Sequence, residues 1–282
     1  MEYVTLNDGN KIPVVGFGVF MVPNDGPTYT AVLAALKAGY RHIDTAAAYM
    51  NETDVGRAIQ DSGIPRDEIF VTSKLWLQDY GYEAAKRGIA ASLQNLGTDY
   101  IDLYLLHQPY GDVAGAWEAL EEAKQKGILK SIGVSNMTPK IYQHFVPDFA
   151  TKPAVNQVEC NPFFQQKRLR EVLAEDQVRI EAYYPLGHGN KELLNQLVIS
   201  SLAKKYGKNS GQIILRFEIQ EGFIVLPKST NPGRIAGNLE IFDFVLTEEE
   251  MKAIESLDTG KGSHDPEKPG VAEWLMDNFK IH

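Results

Sequence analysis

The stretch Ile101-Asp102-Leu103-Tyr104-Leu105-Leu106-His107 is an almost continuous apolar run that ends at a polar residue. Such a strand is typical of a parallel sheet that helices cover on both faces, because both sides of the strand are then buried. Outward from it in both directions, short apolar runs alternate with amphipathic stretches of helical spacing. The stretch therefore favours an α/β protein.

Eight runs of this kind occur along the chain. They cover residues 14–19, 41–45, 69–76, 101–107, 131–136, 154–159, 179–185 and 223–228. Between them, apolar residues recur three or four positions apart, as in Val32 and Leu36, and many of these stretches stop at a glycine that suits a left-handed helix cap, such as Gly39 or Gly97. Eight strand–helix units in 282 residues predict a (β/α)8 TIM barrel.

An open, doubly wound sheet is the structural alternative. That fold would carry a Gly-x-Gly-x-x-Gly turn between a strand and a helix. The only close glycine pair, Gly16 and Gly18, continues into an apolar run without a third glycine or a helix start. We therefore favour the barrel.

The two ends of the chain have patterns of their own. Tyr3–Leu6, followed by Asn7-Asp8-Gly9-Asn10 and Lys11-Ile12, predicts a β-hairpin, because Asp-Gly supplies the positive φ angles of a tight turn. Thr247 to Glu250 reads as a capping box that opens a last helix, and we expect the polar remainder from residue 258 to lie over one end of the barrel. No linker-like segment divides the chain, so residues 1–282 are predicted to form a single domain.

Composition narrows the class of protein. Lys plus Arg number 28 against 37 Asp plus Glu, a net charge of −9, and no basic run is interleaved with aromatic residues, so we expect no nucleic-acid partner. Cys160 is the only cysteine, which excludes an intrachain disulfide and fits a reducing compartment. With no apolar run near the roughly 18 residues of a membrane span and no signal-like start, a cytoplasmic protein without a membrane partner is expected.

Polar residues stand where several apolar runs end. Asp44, Lys74 and His107 follow three different runs, and Tyr49 lies five residues past Asp44. In a barrel, the site forms at the carboxyl ends of the strands, so these side chains are expected to converge.

The four residue types permit a definite chemistry. A tyrosine hydroxyl donates a proton more readily when a cation such as Lys74 stabilises its anion, and a carboxylate such as Asp44 keeps a buried lysine charged. A histidine can orient a substrate oxygen. The set predicts a proton-donating site that needs no metal, although each residue taken alone is as easily explained by packing or a structural ion pair.

Several longer stretches resemble the aldo-keto reductase family, in particular its short-loop bacterial members such as diketogluconate and glyoxal reductases. The matching stretches follow one another along nearly the whole chain: residues 39–46 with 49–52, 71–76, 99–107, 132–136, 156–159 and 225–229. This resemblance implies a barrel whose N-terminal hairpin closes the bottom. It also implies that Asp44, Tyr49, Lys74 and His107 are the catalytic tetrad, and that NADPH or NADP+ binds without a glycine-rich fingerprint.

The resemblance further implies a role for residues around the tetrad. Three polar side chains would hold the nicotinamide carboxamide, Tyr183 would lie on the nicotinamide ring, and a cationic group would hold the ribose 2′-phosphate. The implied cofactor residues are Ser135, Asn136, Gln157, Tyr183, Leu186, Lys228, Ser229, Thr230, Arg234 and Asn238. The implied substrate wall comprises Phe20, Trp76, His107, Gln108 and Tyr110, with Trp274 as a further candidate.

Some positions depart from the family pattern. Tyr184 replaces a common serine before Pro185, and Gly237 replaces an acidic residue that commonly reaches the adenine. Gln108 and Phe20 stand where several members have tryptophan. The first two departures concern cofactor affinity and the last two concern substrate shape.

The expected activity is hydride transfer from NADPH to a small aldehyde or ketone, with Tyr49 as proton donor. We expect a monomer, with a dimer as the alternative. Two alternatives stay open. One is a noncatalytic or weakly active NADP-binding barrel protein. The other is a metal-dependent hydrolase that uses His42, Asp44, His107 and Glu159 as ligands.

Overall fold

The computed structural model describes residues 1–282, and its central feature is a parallel sheet of eight strands that pair in chain order. The strands are β3 (Phe17–Gly18), β4 (His42–Asp44), β5 (Phe70–Leu75), β6 (Ile101–Leu106), β7 (Leu129–Ser135), β8 (Val155–Glu159), β9 (Arg179–Tyr183) and β10 (Ile224–Val225). A parallel bridge between Val15 and Val225 joins the two edges, and the Gly16 amide donates to the Val225 carbonyl at 2.9 Å. The sheet therefore closes, which confirms the predicted (β/α)8 barrel.

Helices surround the sheet and alternate with its strands. They are α1 (Pro27–Ala38), α2 (Glu52–Asp61), α3 (Tyr82–Leu96), α4 (Val113–Gln125), α5 (Pro139–Phe145), α6 (Lys167–Ala174), α7 (Lys191–Leu194), α8 (Leu197–Tyr206), α9 (Ser210–Gln220), α10 (Pro232–Gly237), α11 (Glu248–Glu255) and α12 (Val271–Asn278). Gly39 and Gly97 end α1 and α3 in the left-handed conformation, with φ of 110° and 63°, as predicted. None of these helices has both the length and the apolar character needed to cross a membrane.

Two of the eight strands are shorter than their apolar runs. β3 and β10 contain two residues each, although the runs at 14–19 and 223–228 predict about six. These strands meet at the closure of the barrel, where pairing is limited to the bridge at Val15, and Pro227 has no amide hydrogen to donate. The apolar runs reflect the burial of the chain on both sides of the closure. Hydropathy does not indicate that strand pairing is lost there.

The predicted hairpin is present and closes the bottom of the barrel. It consists of β1 (Tyr3–Thr5) and β2 (Lys11–Pro13). Leu6 and Ile12 are buried in one cluster with Phe70 and other residues of the barrel strands. The Asn7 amide donates to the Pro153 carbonyl at 2.8 Å, which ties the turn to the barrel.

Close packing at the interior depends on the absence of a side chain at residue 16. A Cβ atom on Gly16 would lie 2.6 Å from Nδ1 of His42 and 2.6 Å from Cδ2 of Leu226. Since nonbonded heavy atoms do not approach so closely, only glycine lets this segment pass beside the buried imidazole. Gly16 therefore secures the closure rather than a nucleotide-binding turn.

The C-terminal segment confirms one prediction and adds an element. Thr247 and Glu250 form the predicted capping box of α11. Beyond it, the chain crosses the carboxyl end of the barrel, as expected, but it also forms α12, which the isolated apolar residues did not predict. Leu275 of this helix is buried, because α12 packs against Trp76 and Leu77 of the barrel.

Glu218 of α9 is a buried carboxyl group outside the carboxyl end of the barrel. Its side chain is not exposed, and neither of its oxygens has a hydrogen-bond partner. Burial raises the pKa of this carboxyl well above its usual range. It is therefore uncharged in the folded chain at neutral pH, whereas in the unfolded chain it ionises above its ordinary pKa.

We expect Glu218→Gln to remove a pH-dependent loss of stability. In the wild type, the stability contribution is greatest at low pH and falls as the pH rises through the ordinary pKa of glutamate, because only the unfolded chain then releases the proton. The Tm difference between variant and wild type should therefore grow in favour of the variant from pH 5 to pH 8, by roughly 2–4 °C per kcal/mol. Thermal unfolding followed by circular dichroism measures this difference.

The matched control is Glu118→Gln, which changes an exposed glutamate in the middle of α4. Its Tm difference from wild type should not vary with pH. A Tm difference for Glu218→Gln that stays constant over the same range would contradict the assignment of an uncharged buried carboxyl.

Candidate active site

The four predicted catalytic residues meet at the carboxyl end of the barrel. Asp44 is the last residue of β4, Lys74 lies near the end of β5, and His107 directly follows β6. Tyr49 ends a short 3-10 turn that follows β4. Asp44, Tyr49 and His107 line one hollow of about 290 Å³.

Lys74 lies beneath this hollow and is fully buried. Its Nζ donates to both carboxylate oxygens of Asp44 at 2.8 Å, to the Thr45 carbonyl at 2.8 Å and to the Tyr49 hydroxyl at 3.4 Å. Burial raises the pKa of Asp44, and the ammonium of Lys74 opposes that rise. The Lys74 ammonium, whose charge is balanced by Asp44, therefore lies against the Tyr49 phenol.

The structure changes the expected acidity of Tyr49. Burial raises the pKa of the phenol well above its usual value, and the charge of Asp44 adds to the rise. The ammonium of Lys74 does not reverse this, because Asp44 already neutralises it at both oxygens. Tyr49 therefore keeps its proton at neutral pH, and Lys74 acts on it as a hydrogen-bond donor.

His107 borders the same hollow beside two aromatic rings. The imidazole centroid lies 5.5 Å from that of Tyr49 and 5.1 Å from the Trp76 ring, both in edge-on geometry. Burial and the nearby Lys74 ammonium lower the pKa of His107 well below its usual value. The imidazole is uncharged at neutral pH and can serve as a hydrogen-bond donor to an oxygen in the hollow.

The residues expected to hold a carboxamide also line the hollow. Asn136 has φ of 59°, a conformation that asparagine tolerates, and its Nδ2 donates to the His107 carbonyl at 3.1 Å. The Tyr183 hydroxyl donates to Oδ1 of Asn136 at 2.7 Å. The Ser135 hydroxyl donates to the Gln157 carbonyl at 2.8 Å. These hydrogen bonds hold the ring of Tyr183 and the polar side chains of Ser135 and Asn136 at one wall of the hollow.

The expected phosphate-binding residues follow β10. Lys228 lines the hollow, while Lys228, Thr230 and Arg234 are exposed. The Arg234 Nε donates to the Ser229 hydroxyl at 3.1 Å, and neither cation forms an ion pair with a carboxylate. Two unpaired cations beside buried Ser229 form a surface suited to an anion.

The two remaining predicted cofactor residues and the positions that depart from the family pattern have different surroundings. Leu186 is half-buried, and Asn238 is buried where it meets the hydroxyl of Tyr40. Tyr184 lines the hollow with φ of 54°, and its ring lies 4.6 Å from that of His188. At Gly237 there is open space where a side chain would stand.

The structure brings most of the predicted substrate wall together. Phe20, Trp76 and Gln108 line the hollow with His107, and Trp274 does so from α12. Tyr110 does not line the hollow. Its ring packs against the cluster of Trp76, Leu77 and Leu275, and its hydroxyl donates to the Pro266 carbonyl at 2.6 Å. That contact joins residues 156 positions apart, so local sequence carried no signal for it.

The C-terminal segment supplies wall residues that sequence reasoning missed. They are Ser263, His264, Leu275 and Phe279. Both the amide and the hydroxyl of Ser263 donate to Oε2 of Glu159, at 2.8 and 2.7 Å. The Trp76 indole donates to the Phe279 carbonyl at 2.7 Å. The isolated aromatic residues of the tail were the only signal in the sequence.

The ligand set of the hydrolase alternative does not assemble. No three His, Cys, Asp or Glu side chains are grouped so that they could hold a metal ion. His42 lies inside the barrel against the Thr72 hydroxyl, and Glu159 is engaged by the C-terminal segment. The geometry therefore gives this alternative no support.

Comparison with known proteins agrees with this geometry. The model of the Aldo/keto reductase family matches residues 16–259. This chain belongs to the aldo/keto reductase family. It is 48% identical over 261 residues to an aldo-keto reductase of Mycolicibacterium smegmatis, covering 92% of this chain and 94% of the relative. It is 42% identical over 275 residues to the 9,11-endoperoxide prostaglandin H2 reductase of Trypanosoma cruzi, covering 96% and 97%.

Solved structures of aldo-keto reductases share the fold. An enzyme from a Medee basin deep-sea metagenome library superposes with a TM-score of 0.90 at 43% identity, covering 94% of this chain and 97% of the other. The Bombyx mori aldo-keto reductase, solved in complex with NADP, superposes with a TM-score of 0.87 at 34% identity, covering 99% and 98%. The family assignment predicted from the sequence motifs is confirmed.

Removal of residues 271–282 should open this aldo/keto reductase at the wall formed by α12. The barrel strands and the hairpin remain, so we expect a folded protein, while the Trp76 indole loses its acceptor and the hollow loses Leu275 and Phe279. The KM for an apolar aldehyde should rise about tenfold or more, as expected for about 1.5 kcal/mol or more of lost apolar contact. Steady-state kinetics measures this change.

The control is Met276→Ala, which shortens a residue of α12 that does not line the hollow. This variant should keep the KM of the full chain. An unchanged KM after the truncation would show that α12 is not part of the substrate wall.

Proposed function

We propose that this aldo/keto reductase reduces aldehydes and ketones to alcohols with NADPH, and that Tyr49 donates the proton. The observation that carries the proposal is the Tyr49 hydroxyl at the edge of the hollow, 3.4 Å from Nζ of the buried Lys74. A phenol that keeps its proton at neutral pH, with an ammonium ready to stabilise the anion it leaves, is a general acid for an alkoxide.

The residues along the hollow fit a nicotinamide dinucleotide phosphate. Ser135, Asn136 and Gln157 offer polar groups at one wall, and Tyr183 offers a ring fixed through its hydroxyl. Unpaired Lys228 and Arg234 offer charge-assisted donors for a phosphate dianion. Ser229, Thr230, Leu186 and Asn238 complete the proposed cofactor set. The NADP complex of the Bombyx mori relative supports this choice.

The protein's part in the reaction is to position the carbonyl group and move one proton. When bound in this hollow, NADPH would supply the hydride that adds to the carbonyl carbon. Tyr49 donates its proton to the carbonyl oxygen, and Lys74 donates a hydrogen bond to the phenolate that results. Asp44 holds Lys74 in place, and uncharged His107 donates to the carbonyl oxygen and orients it.

The wall indicates the kind of substrate. Phe20, Trp76 and Trp274 make it largely aromatic, and Gln108 adds one amide. Such a surface favours small or flat carbonyl compounds, because the aromatic side chains offer flat apolar area to pack against. We propose that the chain works as a single domain of residues 1–282 and as a monomer.

Tyr49→Phe tests the proton donor. The variant keeps the ring and its packing against Phe20 but cannot donate a proton. We expect kcat for aldehyde reduction to fall by about 10²–10⁴-fold, the usual contribution of a general acid, while NADPH binding measured by fluorescence quenching changes little. Oxidation of NADPH followed by its absorbance measures the rate.

Tyr82→Phe, which removes a phenol on the outer surface of α3, is the matched control and should keep the wild-type rate. Full activity in Tyr49→Phe would refute the proposed donor. If the wild type binds NADPH and reduces none of a panel of aromatic aldehydes, glyoxals, sugars and diketones, the noncatalytic alternative is correct.

Lys228→Ala combined with Arg234→Ala tests the phosphate site. Each charge-assisted hydrogen bond is worth about 1.5–3 kcal/mol, so the double variant should weaken NADPH binding by at least about tenfold and leave NADH binding nearly unchanged. Equilibrium titration with each dinucleotide measures both constants.

The control for this pair is Lys11→Ala with Arg179→Ala, which removes the same charge from exposed residues at the bottom of the barrel. It should leave the preference for NADPH intact. An unchanged preference in the Lys228 and Arg234 variant would place the 2′-phosphate elsewhere.

A further inference from the structure

A second carboxyl group lies beneath the catalytic ion pair. Glu181 is in the middle of β9, fully buried, and it does not line the hollow. The Gln157 Nε2 donates to Oδ2 of Asp44 at 2.8 Å and to Oε2 of Glu181 at 2.6 Å. One amide therefore bridges the proposed catalytic carboxylate and a carboxyl group that cannot touch the substrate.

This bridge fixes the orientation of the Gln157 amide. The oxygens of Asp44 that face Lys74 and Gln157 can only accept, so the nitrogen of the amide must point toward them. Glu181 accepts the second N–H of the same nitrogen. Both donors of the amide are thus used below the hollow, and its carbonyl oxygen is the group left to face a cofactor carboxamide.

The charges around Glu181 are unbalanced. Asp44 and Lys74 are the ion pair above it, and the ammonium of Lys74 is taken up by both oxygens of Asp44. His42 of β4 has its Nε2 3.5 Å from Oε1 of Glu181, but burial lowers the pKa of His42 to about 3, so it carries no charge. From β10, the residue opposite Glu181 is Ile224. One buried cation therefore serves two carboxyl groups.

Two neighbouring buried carboxyl groups with one cation cannot both ionise at low cost. Asp44 has the direct contacts with the ammonium, so Glu181 is the one that retains a proton. Burial and the charge of Asp44 raise the pKa of Glu181 to about 8. When Glu181 does ionise, its negative charge raises the pKa of the Tyr49 phenol further.

We propose that Glu181 is a positioning residue of this reductase: it holds the Gln157 amide toward the cofactor, and its charge state controls how readily Tyr49 gives up its proton. The inference rests on the proposed function. Carbonyl reduction should therefore slow as the pH rises through the range in which Glu181 ionises, although Glu181 never contacts a reactant.

The experiment measures single-turnover rates of NADPH oxidation with an aromatic aldehyde from pH 6 to pH 10. Glu181→Gln keeps the acceptor for Gln157 and mimics the uncharged carboxyl group. In the wild type, the rate should fall by up to about tenfold between pH 7 and pH 9, the loss of protonated fraction for a group that titrates near 8. When the rates of Glu181→Gln are divided by the rate of that variant at pH 6, this fall between pH 7 and pH 9, the alkaline limb of the profile, should be absent.

The matched control is Glu218→Gln, which replaces a second fully buried glutamate that has no contact with the site. It should keep the wild-type pH profile. If Glu181→Gln also follows that profile, or if Glu218→Gln loses the limb as well, the role of Glu181 is overturned. No turnover in the wild type at any pH would instead overturn the proposed function, and this inference with it.

A second variant tests the positioning role apart from the rate. Glu181→Leu removes the acceptor for the Gln157 amide, so NADPH binding measured by fluorescence titration at pH 7 should weaken by about threefold to tenfold, as for one lost hydrogen bond. Binding equal to that of the wild type would contradict this role.

Infrared spectroscopy keeps the inference testable should both substitutions prevent folding. The Glu218→Gln protein retains Glu181 and lacks the buried carboxyl group of Glu218, which has no hydrogen-bond partner. Its protonated-carboxyl C=O band should disappear as the pH rises through about 8. Absence of that band at pH 6 would overturn the proposal.

Discussion

The burial of a single ammonium group is the constraint around which this barrel is organised. Lys74 is held with no exposed surface, a placement that is costly unless each of its donors finds a partner. Asp44 and the Thr45 carbonyl supply these partners at 2.8 Å. They can do so because β4 and β5 pair in parallel register, with Asp44 opposite Thr72. The sheet and the ion pair therefore depend on each other.

The interior of the barrel is divided into an apolar bottom and a polar top. Leu6 and Ile12 of the hairpin meet the apolar starts of the strands, which excludes water from below. Above them, His42, Gln157 and Glu181 connect to the ion pair through hydrogen bonds and close approaches. Solvent and reactants can then reach the polar groups only from the carboxyl end. This division places the chemistry at the carboxyl end of the barrel.

The parts of the structure that depend on local pattern could be predicted from the sequence. Alternation of apolar runs and helical spacing indicated eight strands and the barrel, and polar residues at the ends of three runs indicated Asp44, Lys74 and His107 as site residues. Contacts between distant segments could not be predicted in this way. The Tyr110 hydroxyl binds the Pro266 carbonyl, and the Trp76 indole binds the Phe279 carbonyl at the end of α12, about 200 positions later in the chain. Glu181 gave a weak signal, as a charged residue within an otherwise buried strand, but its partners lie on other strands.

The two termini of the chain lie at opposite ends of the barrel. Near the start, the Glu2 carbonyl accepts from Val14 beside the hairpin, and Met1 is exposed. At the other end, the Gln78 side chain binds the Ile281 amide and the His282 carbonyl, just beyond β5 and next to the mouth. A fusion partner, affinity handle or immobilisation linker attached at Met1 would therefore leave the entrance clear. The same attachment at His282 would emerge beside the catalytic opening and compete with whatever enters it.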